Sequence, residues 1–230
     1  MTYLAHTAHA QLAAFGVSCV GWTLTAVALG LIPWRVWLVS DSEVIPSGVA
    51  WVGLWRACFN THTMVTPGFR VMHCKYIGLS EAFTPPEIGA GQILMVLSLV
   101  VGMFGNAGGV YALRNINLDV ERVRLSFLAA GGLCLLAAAM SLIPLLWNLS
   151  SVVTNQTIAF PQDFKMPQAP NSQHVGPGIG VGLVGSILMV ISGIIFCKYK
   201  LPRKPLQKEE VHPEGRGARD NLAFESLEHL

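Results

Sequence analysis

Four long apolar runs dominate the hydrophobic pattern of this chain. They cover residues 12–32, 93–113, 125–147 and 178–197, and none of them contains Asp, Glu, Lys or Arg. Each run is close to the length of about 20 residues that a helix needs to cross the hydrocarbon core of a bilayer. Because a helix satisfies its own backbone hydrogen bonds in lipid, the pattern predicts four transmembrane helices.

The first run has an alternative interpretation as a cleaved signal peptide. Ala26-Val27-Ala28 resembles the small-residue site at which such peptides are cut. A signal peptide also carries basic residues ahead of its apolar part, whereas the first Lys or Arg of this chain is Arg35. We therefore interpret the run as a retained helix.

Composition and charge agree with a membrane protein and indicate its orientation. Hydrophobic residues make up 52% of the chain and charged residues 12%, against about 25% in soluble domains. The net charge of +2 gives no indication of a nucleic-acid partner. Basic residues concentrate between the second and third runs and after the fourth, so the positive-inside rule predicts that both termini are cytosolic. Segments 33–92 and 148–177 would then be extracellular loops.

The first of these loops has the pattern of a small antiparallel sheet. Segments 36–41, 49–55 and 69–76 are rich in β-branched and aromatic residues, and turn sequences separate them. Cys58 and Cys74 lie in the same loop and allow one disulfide, which would stabilise the fold by roughly 3 kcal/mol in the chain-entropy model. The alternative is two free, buried cysteines.

Motifs for catalysis or metal binding are missing from the sequence. It has no Cys-x-x-Cys, no His-Glu-x-x-His and no phosphate-binding glycine loop, and His62, His73 and His174 lack metal-ligand spacing. A substrate path through the bilayer would need intramembrane ionisable groups, which the four runs do not contain. The sequence therefore predicts neither an enzyme nor a cofactor, metal or small-molecule substrate.

One set of motifs resembles the claudin family. Pro33-Trp34 is followed by Gly53-Leu54-Trp55, then by Cys58 and Cys74, in a chain with four predicted helices. Pro86-Glu87, Trp147 and the turn at 163–167 match further, so that the resemblance covers about residues 10–200. Myelin-type and calcium-channel gamma-type proteins of the wider superfamily share part of this pattern.

The resemblance implies a fold, a place and a function. The fold is a mainly α integral membrane protein, residues 1–200, with a four-helix bundle and a small antiparallel extracellular β-sheet stapled by one disulfide. The place is the tight junction of the plasma membrane. The function is cell–cell adhesion and a paracellular barrier or ion-selective permeability, produced by polymerisation with itself and other claudins in cis and by trans contact.

Individual residues receive roles from the resemblance. Trp34, Gly53, Leu54 and Trp55 would anchor the sheet to the bundle. Lys75 would face the paracellular path and repel cations, although a solvated surface charge is an equal alternative. Phe164 and Pro167 would contact the opposing cell, and the alternative is an ordinary exposed loop tip.

Modification sites and the C-terminal tail complete these expectations. Asn155-Gln156-Thr157 is an N-glycosylation acceptor, and a second one at Asn148 lies close to the membrane. Cys197, beside a basic segment, is a site for palmitoylation or simply a buried thiol. Residues 201–230 are charged and interrupted by proline, which predicts a disordered cytosolic tail whose final Leu230 gives a weak match to PDZ scaffolds.

Departures from the claudin pattern leave other functions open. Fifteen residues separate Cys58 from Cys74, more than claudins usually place there, and Gln92 stands where most claudins have arginine. These differences favour a regulatory subunit that binds a channel or receptor in the same membrane without forming strands. The turn at 163–167 favours a claudin, either polymerising or acting as an isolated adhesive protein.

Overall fold

The computed structural model describes residues 2–39, 48–62, 70–115, 120–164, 166 and 169–198. The predicted tail at 201–230 and residues 63–69, between Cys58 and Cys74, lie outside these residues. Within them, the helices are α1 (Thr2–Gly30), α2 (Pro86–Arg114), α3 (Val120–Val153) and α4 (Pro177–Cys197). The strands are β1 (Arg35–Leu38), β2 (Val49–Val52), β3 (Arg56–His62), β4 (Arg70–Tyr76) and β5 (Ser172–Val175).

All four helices have the length and composition of membrane spans, which confirms the predicted tetraspan fold. Their mean hydropathies run from 1.8 to 2.5. Three helices extend well beyond the apolar runs, and α1 does so by beginning at Thr2. Helix α2 begins at Pro86, because proline suits the first helical turn, and Glu87 there faces the positive end of the helix dipole. Helix α3 continues to Val153 through a polar turn, which a search for apolar residues alone leaves out of the predicted helix.

Glycines allow the helices of the bundle to approach closely. A Cβ atom at Gly21 of α1 would lie 2.7 Å from the carbonyl oxygen of Gly185 in α4, and a Cβ at Gly185 would lie 2.8 Å from that of Gly21. A Cβ at Gly182 would similarly lie 2.6 Å from the side chain of Leu145 in α3. Such small-residue contacts supply the van der Waals packing that drives helix association in lipid.

The described strands form one antiparallel sheet in the order β4-β3-β2-β1-β5. The sequence predicted three strands at 36–41, 49–55 and 69–76, and these correspond to β1, β2 and β4. Two further strands are present: β3, and β5 from the second loop. Strand β5 pairs with β1, with Leu38 opposite Ser172 and Arg35 opposite Val175. Both loops therefore contribute to a single sheet.

An apolar core joins the sheet to one end of the bundle. Trp37 of β1 and Ala50 of β2 are fully buried in it, and Phe160 and Ile179 from the second loop and α4 belong to the same cluster. We call this end of the bundle the sheet end. The core fixes the sheet relative to the helices, so side chains on the sheet have defined positions relative to the bundle.

Candidate functional site

Trp34 lies where the sheet meets the helices. Its indole Nε1 donates a hydrogen bond of 2.8 Å to the carbonyl oxygen of Ala28, so the ring folds back over the last turn of α1. The first turn of α4 covers the ring, and a Cβ at Gly178 would lie 2.5 Å from Trp34 Cδ1. The indole thus links the ends of α1 and α4, with only 1% of its surface exposed.

The Gly53-Leu54 part of the motif fits tightly between two helices. A Cβ at Gly53 would lie 2.5 Å from the backbone carbonyl oxygen of Ile32, so this position accepts no side chain. Leu54 is buried against α2, where a Cβ at Gly91 would lie 2.6 Å from Leu54 Cδ2. The motif therefore sets the close approach of the sheet to both α1 and α2.

Gln92 holds the strands that lead into and out of the disulfide hairpin. Its Nε2 donates hydrogen bonds to the carbonyl oxygens of Leu54 at 2.7 Å and Ile77 at 2.9 Å, and the side chain is buried. Trp55 and Tyr76, one residue inside these two, stack at 6.4 Å. At the position where claudins usually have arginine, the glutamine amide fastens both ends of the hairpin through backbone carbonyls.

The Cys58–Cys74 disulfide is present in the structure, as predicted. The two cysteines are directly opposite each other on β3 and β4, with a Cα–Cα distance of 4.1 Å. The bridge therefore staples the two strands that carry the long hairpin.

A buried ion pair lies beneath the sheet. Arg35 Nη2 donates to Glu87 Oε1 at 2.9 Å and to Asn148 Oδ1 at 2.8 Å. Ser151 Oγ donates to the same Glu87 oxygen at 2.8 Å, and Asn148 Nδ2 donates to the Glu87 backbone carbonyl at 2.9 Å. Arg35 is 1% exposed and Glu87 is 4% exposed. This network connects β1, α2 and α3.

Electrostatics in this network are unusual for a loop arginine. Burial lowers the pKa of Arg35, while the hydrogen bond and the charge of Glu87 act in the opposite direction. The guanidinium remains charged, because its ordinary pKa lies far above neutral pH. At the level of the sequence, Glu87 was used only in the Pro86-Glu87 match to claudins and Arg35 only as the first basic residue of the chain. The signal that could have found them is position, since Arg35 directly follows the buried Trp34 and Glu87 opens a membrane-spanning helix.

Lys75 and Phe164, predicted for separate roles, lie together. The Lys75 Nζ is 5.2 Å from the centroid of the Phe164 ring. Phe164 ends a short 3-10 turn (Gln162–Phe164) and packs with Phe83 at 5.0 Å and Phe160 at 5.2 Å between ring centroids. Only 8% of Phe164 is exposed, in contrast to the exposed loop tip of the alternative interpretation. Its trans-contact role stays a prediction.

Comparison with known protein families gives a match that covers the sheet, the disulfide and most of the helix bundle. Residues 19–198 match the family described as "PMP-22/EMP/MP20/Claudin tight junction". The chain belongs to this family. It is a multi-pass membrane protein of the claudin type. The resemblance to claudins in the sequence is therefore confirmed.

Curated relatives of this claudin-family chain are claudins themselves. Claudin-3 of Canis lupus familiaris is 27% identical over 96% of this chain and 98% of its own length. Claudin-3 of Homo sapiens is 28% identical over 82% of this chain and 80% of its own. Claudin-4 of Homo sapiens is 26% identical over 84% and 87%, respectively. The similarity therefore extends across the helices and both loops.

The remaining predicted sites of this claudin-family chain are two glycosylation acceptors, a palmitoylation site and two residues outside the described part of the structure. Asn155 is exposed just beyond α3, with a positive φ of 53°. Asn148 is 1% exposed and its amide is hydrogen-bonded to Arg35, Glu87 and Pro144, so the glycan acceptor atom is buried in the fold. Cys197 is half-buried at the end of α4. Pro167 and Leu230 lie outside the described residues. Glycosylation of Asn155 and palmitoylation of Cys197 stay predictions.

Proposed function

We propose that this chain assembles with itself and other claudins into junctional strands that hold cells together and restrict paracellular ion flow. The observation that carries the proposal is the single stapled sheet. Both loops enter it, and β4, which carries Lys75, is one of the two edge strands among the strands that the structure describes. An unpaired edge strand is a natural template for contact with another protein.

Orientation in the membrane is part of the proposal. The chain enters α1 and leaves α4 at the end of the bundle opposite the sheet, and the α2–α3 connection lies at that end too. Arg114, Arg122, Arg124 and Lys198 are at or near these helix ends. By the positive-inside rule that end is cytosolic, so the sheet faces the space between cells.

Apolar side chains outside the membrane spans support side-by-side assembly. Met72 and Tyr76 on β4 are 51% and 62% exposed, and Leu79 just after β4 is 52% exposed. Lipid covers the exposed apolar residues of the helices, but these three lie on β4 or in the segment that follows it. Clustered exposed apolar residues on such a surface are typical of protein contacts.

Strand formation can be tested by expressing the chain in fibroblasts that lack tight junctions. Freeze-fracture electron microscopy at contacts between expressing cells should show continuous intramembrane strands. Met72→Glu and Leu79→Glu should interrupt the strands, whereas Ser80→Glu, at an exposed neighbouring position, should preserve them. Scattered particles for the unchanged chain would contradict self-polymerisation and favour the same-membrane regulatory subunit.

Ion selectivity is the second part of the proposal. Lys75 would repel cations and give the junction barrier properties or a weak anion preference, as charged groups do in ion pathways. Dilution potentials across epithelial monolayers test this, and Lys75→Asp should move the selectivity towards cations. Unchanged dilution potentials would remove Lys75 from the ion path.

Three peripheral features belong to the same proposal. Pro167 would contribute to contact with the opposing cell, and palmitoylation of Cys197 would attach the end of α4 to the cytosolic leaflet. Leu230 would give at most a weak PDZ contact. None of these roles involves a chemical reaction of the chain on a substrate, and the protein would act as a structural component.

A further inference from the structure

The ammonium of Lys75 is held by an aromatic ring from the other loop. A cation within about 6 Å of a ring centroid is attracted by the negative face of the ring, and the Lys75 Nζ lies over the Phe164 ring at 5.2 Å. Lys75 belongs to β4 in the first loop, whereas Phe164 belongs to the 3-10 turn of the second loop. The contact therefore joins the two loops at the edge of the sheet.

The Phe164 ring is itself fixed by the sheet core. Phe160 stacks against it at 5.2 Å, and Phe83 packs edge-to-face at 5.0 Å. Phe160 also contacts Trp37 at 5.5 Å, and Trp37 is fully buried on β1. A continuous series of rings thus runs from β1 to Lys75, so the Phe164 ring offers the ammonium a rigid support.

An aromatic support differs from an ion pair in its effect on charge. Among the described residues, no carboxylate lies within ion-pair distance of Lys75. A carboxylate partner would neutralise the ammonium, whereas a ring restrains its position and leaves its positive charge in place. A positive charge held in one position in this way can act on passing ions with a constant electrostatic field.

We propose that Phe164 is a positioning residue for Lys75, through which the second loop sets the ion selectivity of the first. The proposal rests on the selectivity proposed above for Lys75. Loss of the ring contact should raise the population of other Lys75 conformers about two- to fivefold, the range that corresponds to an exposed cation–π contact. Phe164 then determines selectivity while its ring stays within its own chain.

The contact itself can be tested without a junction. Lysines of the purified full chain in detergent are reductively methylated with a ¹³C label, which retains their charge, and Lys75→Arg identifies the Lys75 signal. The ring current of Phe164 should displace this methyl resonance from the others. Phe164→Leu should return it to the common position, and Phe164→Tyr should keep it displaced. An identical Lys75 resonance in the parent and in Phe164→Leu would overturn the proposal.

Selectivity is tested by a double-mutant design in epithelial monolayers. Phe164→Leu should shift the sodium-to-chloride permeability ratio towards that of Lys75→Met, and should cause no further shift in the Lys75→Met background. Phe83→Leu loosens the same ring cluster but retains the Phe164 ring, so it should have a smaller effect. Surface delivery of each variant is measured in parallel.

The outcomes separate this inference from the function on which it rests. Equal shifts from Phe164→Leu in both backgrounds would mean that Phe164 acts through general packing, and the positioning role would be wrong. No effect of Lys75→Met would overturn the proposed selectivity function of Lys75, and with it the role of Phe164 in selectivity, whatever the resonance of Lys75 shows. A background-dependent shift together with a displaced resonance supports both.

Discussion

The losses caused by removing either partner of the Arg35–Glu87 pair should not add when both partners are removed. The two groups are 2.9 Å apart, and their attraction is about 6 kcal/mol at an effective dielectric constant of about 20. Desolvation of both charges offsets much of this energy in the intact protein. In Arg35→Met, the buried Glu87 carboxylate retains the hydrogen bond from Ser151 but loses its counter-charge. We expect a loss of about 3–5 kcal/mol in unfolding free energy.

The double variant Arg35→Met/Glu87→Gln removes the charges together. Glutamine retains an acceptor for Ser151, and methionine fills much of the volume of the arginine stem. Two donors of Arg35, Nε and Nη1, have no hydrogen-bond partner among the described residues, so their removal sacrifices no bond seen there. The double variant should therefore lose at least about 2 kcal/mol less than the sum of the two single losses.

Unfolding of the purified chain by SDS in mixed micelles, followed by tryptophan fluorescence and far-UV circular dichroism, gives these free energies. Arg56→Met is a matched control, because Arg56 is an exposed arginine on the same sheet and should change stability by no more than about 0.5 kcal/mol. Additivity of the two single losses within about 0.5 kcal/mol would refute the reasoning, since independent sites behave in that way.

Three further predictions concern the anchor and the topology. Gln92→Leu should cost about 2–4 kcal/mol in the same unfolding assay, because two buried backbone carbonyls lose their donor; a loss below 1 kcal/mol would contradict this. Gly53→Ala should abolish surface delivery, since its methyl group would overlap the Ile32 carbonyl, whereas Gly89→Ala, with open space around it, should be delivered normally. Removal of N-glycans should increase the electrophoretic mobility of the parent chain but not of Asn155→Gln, and an unshifted parent would mean that this acceptor is unused.

The parts of the fold that could be predicted are those that depend on the sequence of one continuous segment. The apolar runs specified four helices, because crossing lipid requires a continuous stretch of apolar residues. Two cysteines in one loop specified the disulfide. The segment 172–175 is short and mostly polar. It forms a strand because it pairs with β1, which lies far away in the sequence. No local pattern records such a pairing.

The candidate site shows the same division between local and long-range information. The resemblance located Trp34 and Lys75, but no local pattern indicated that Arg35 and Glu87, 52 positions apart, are buried together. Phe164 was predicted, from the claudin resemblance, to contact the opposing cell. Its actual surroundings come from Phe83 and Phe160, which approach it only in the folded chain.

The pairing of β1 with β5 has a consequence for biosynthesis. The first strand emerges early, but its partner is made only after α2 and α3, about 7 to 27 seconds later at ~5–20 residues per second. During that interval one edge of β1 has no native neighbour, and an open edge invites wrong pairing. Completion of the sheet therefore reports that the intervening helices have inserted. A chaperone that binds open strands would retain chains whose insertion had failed.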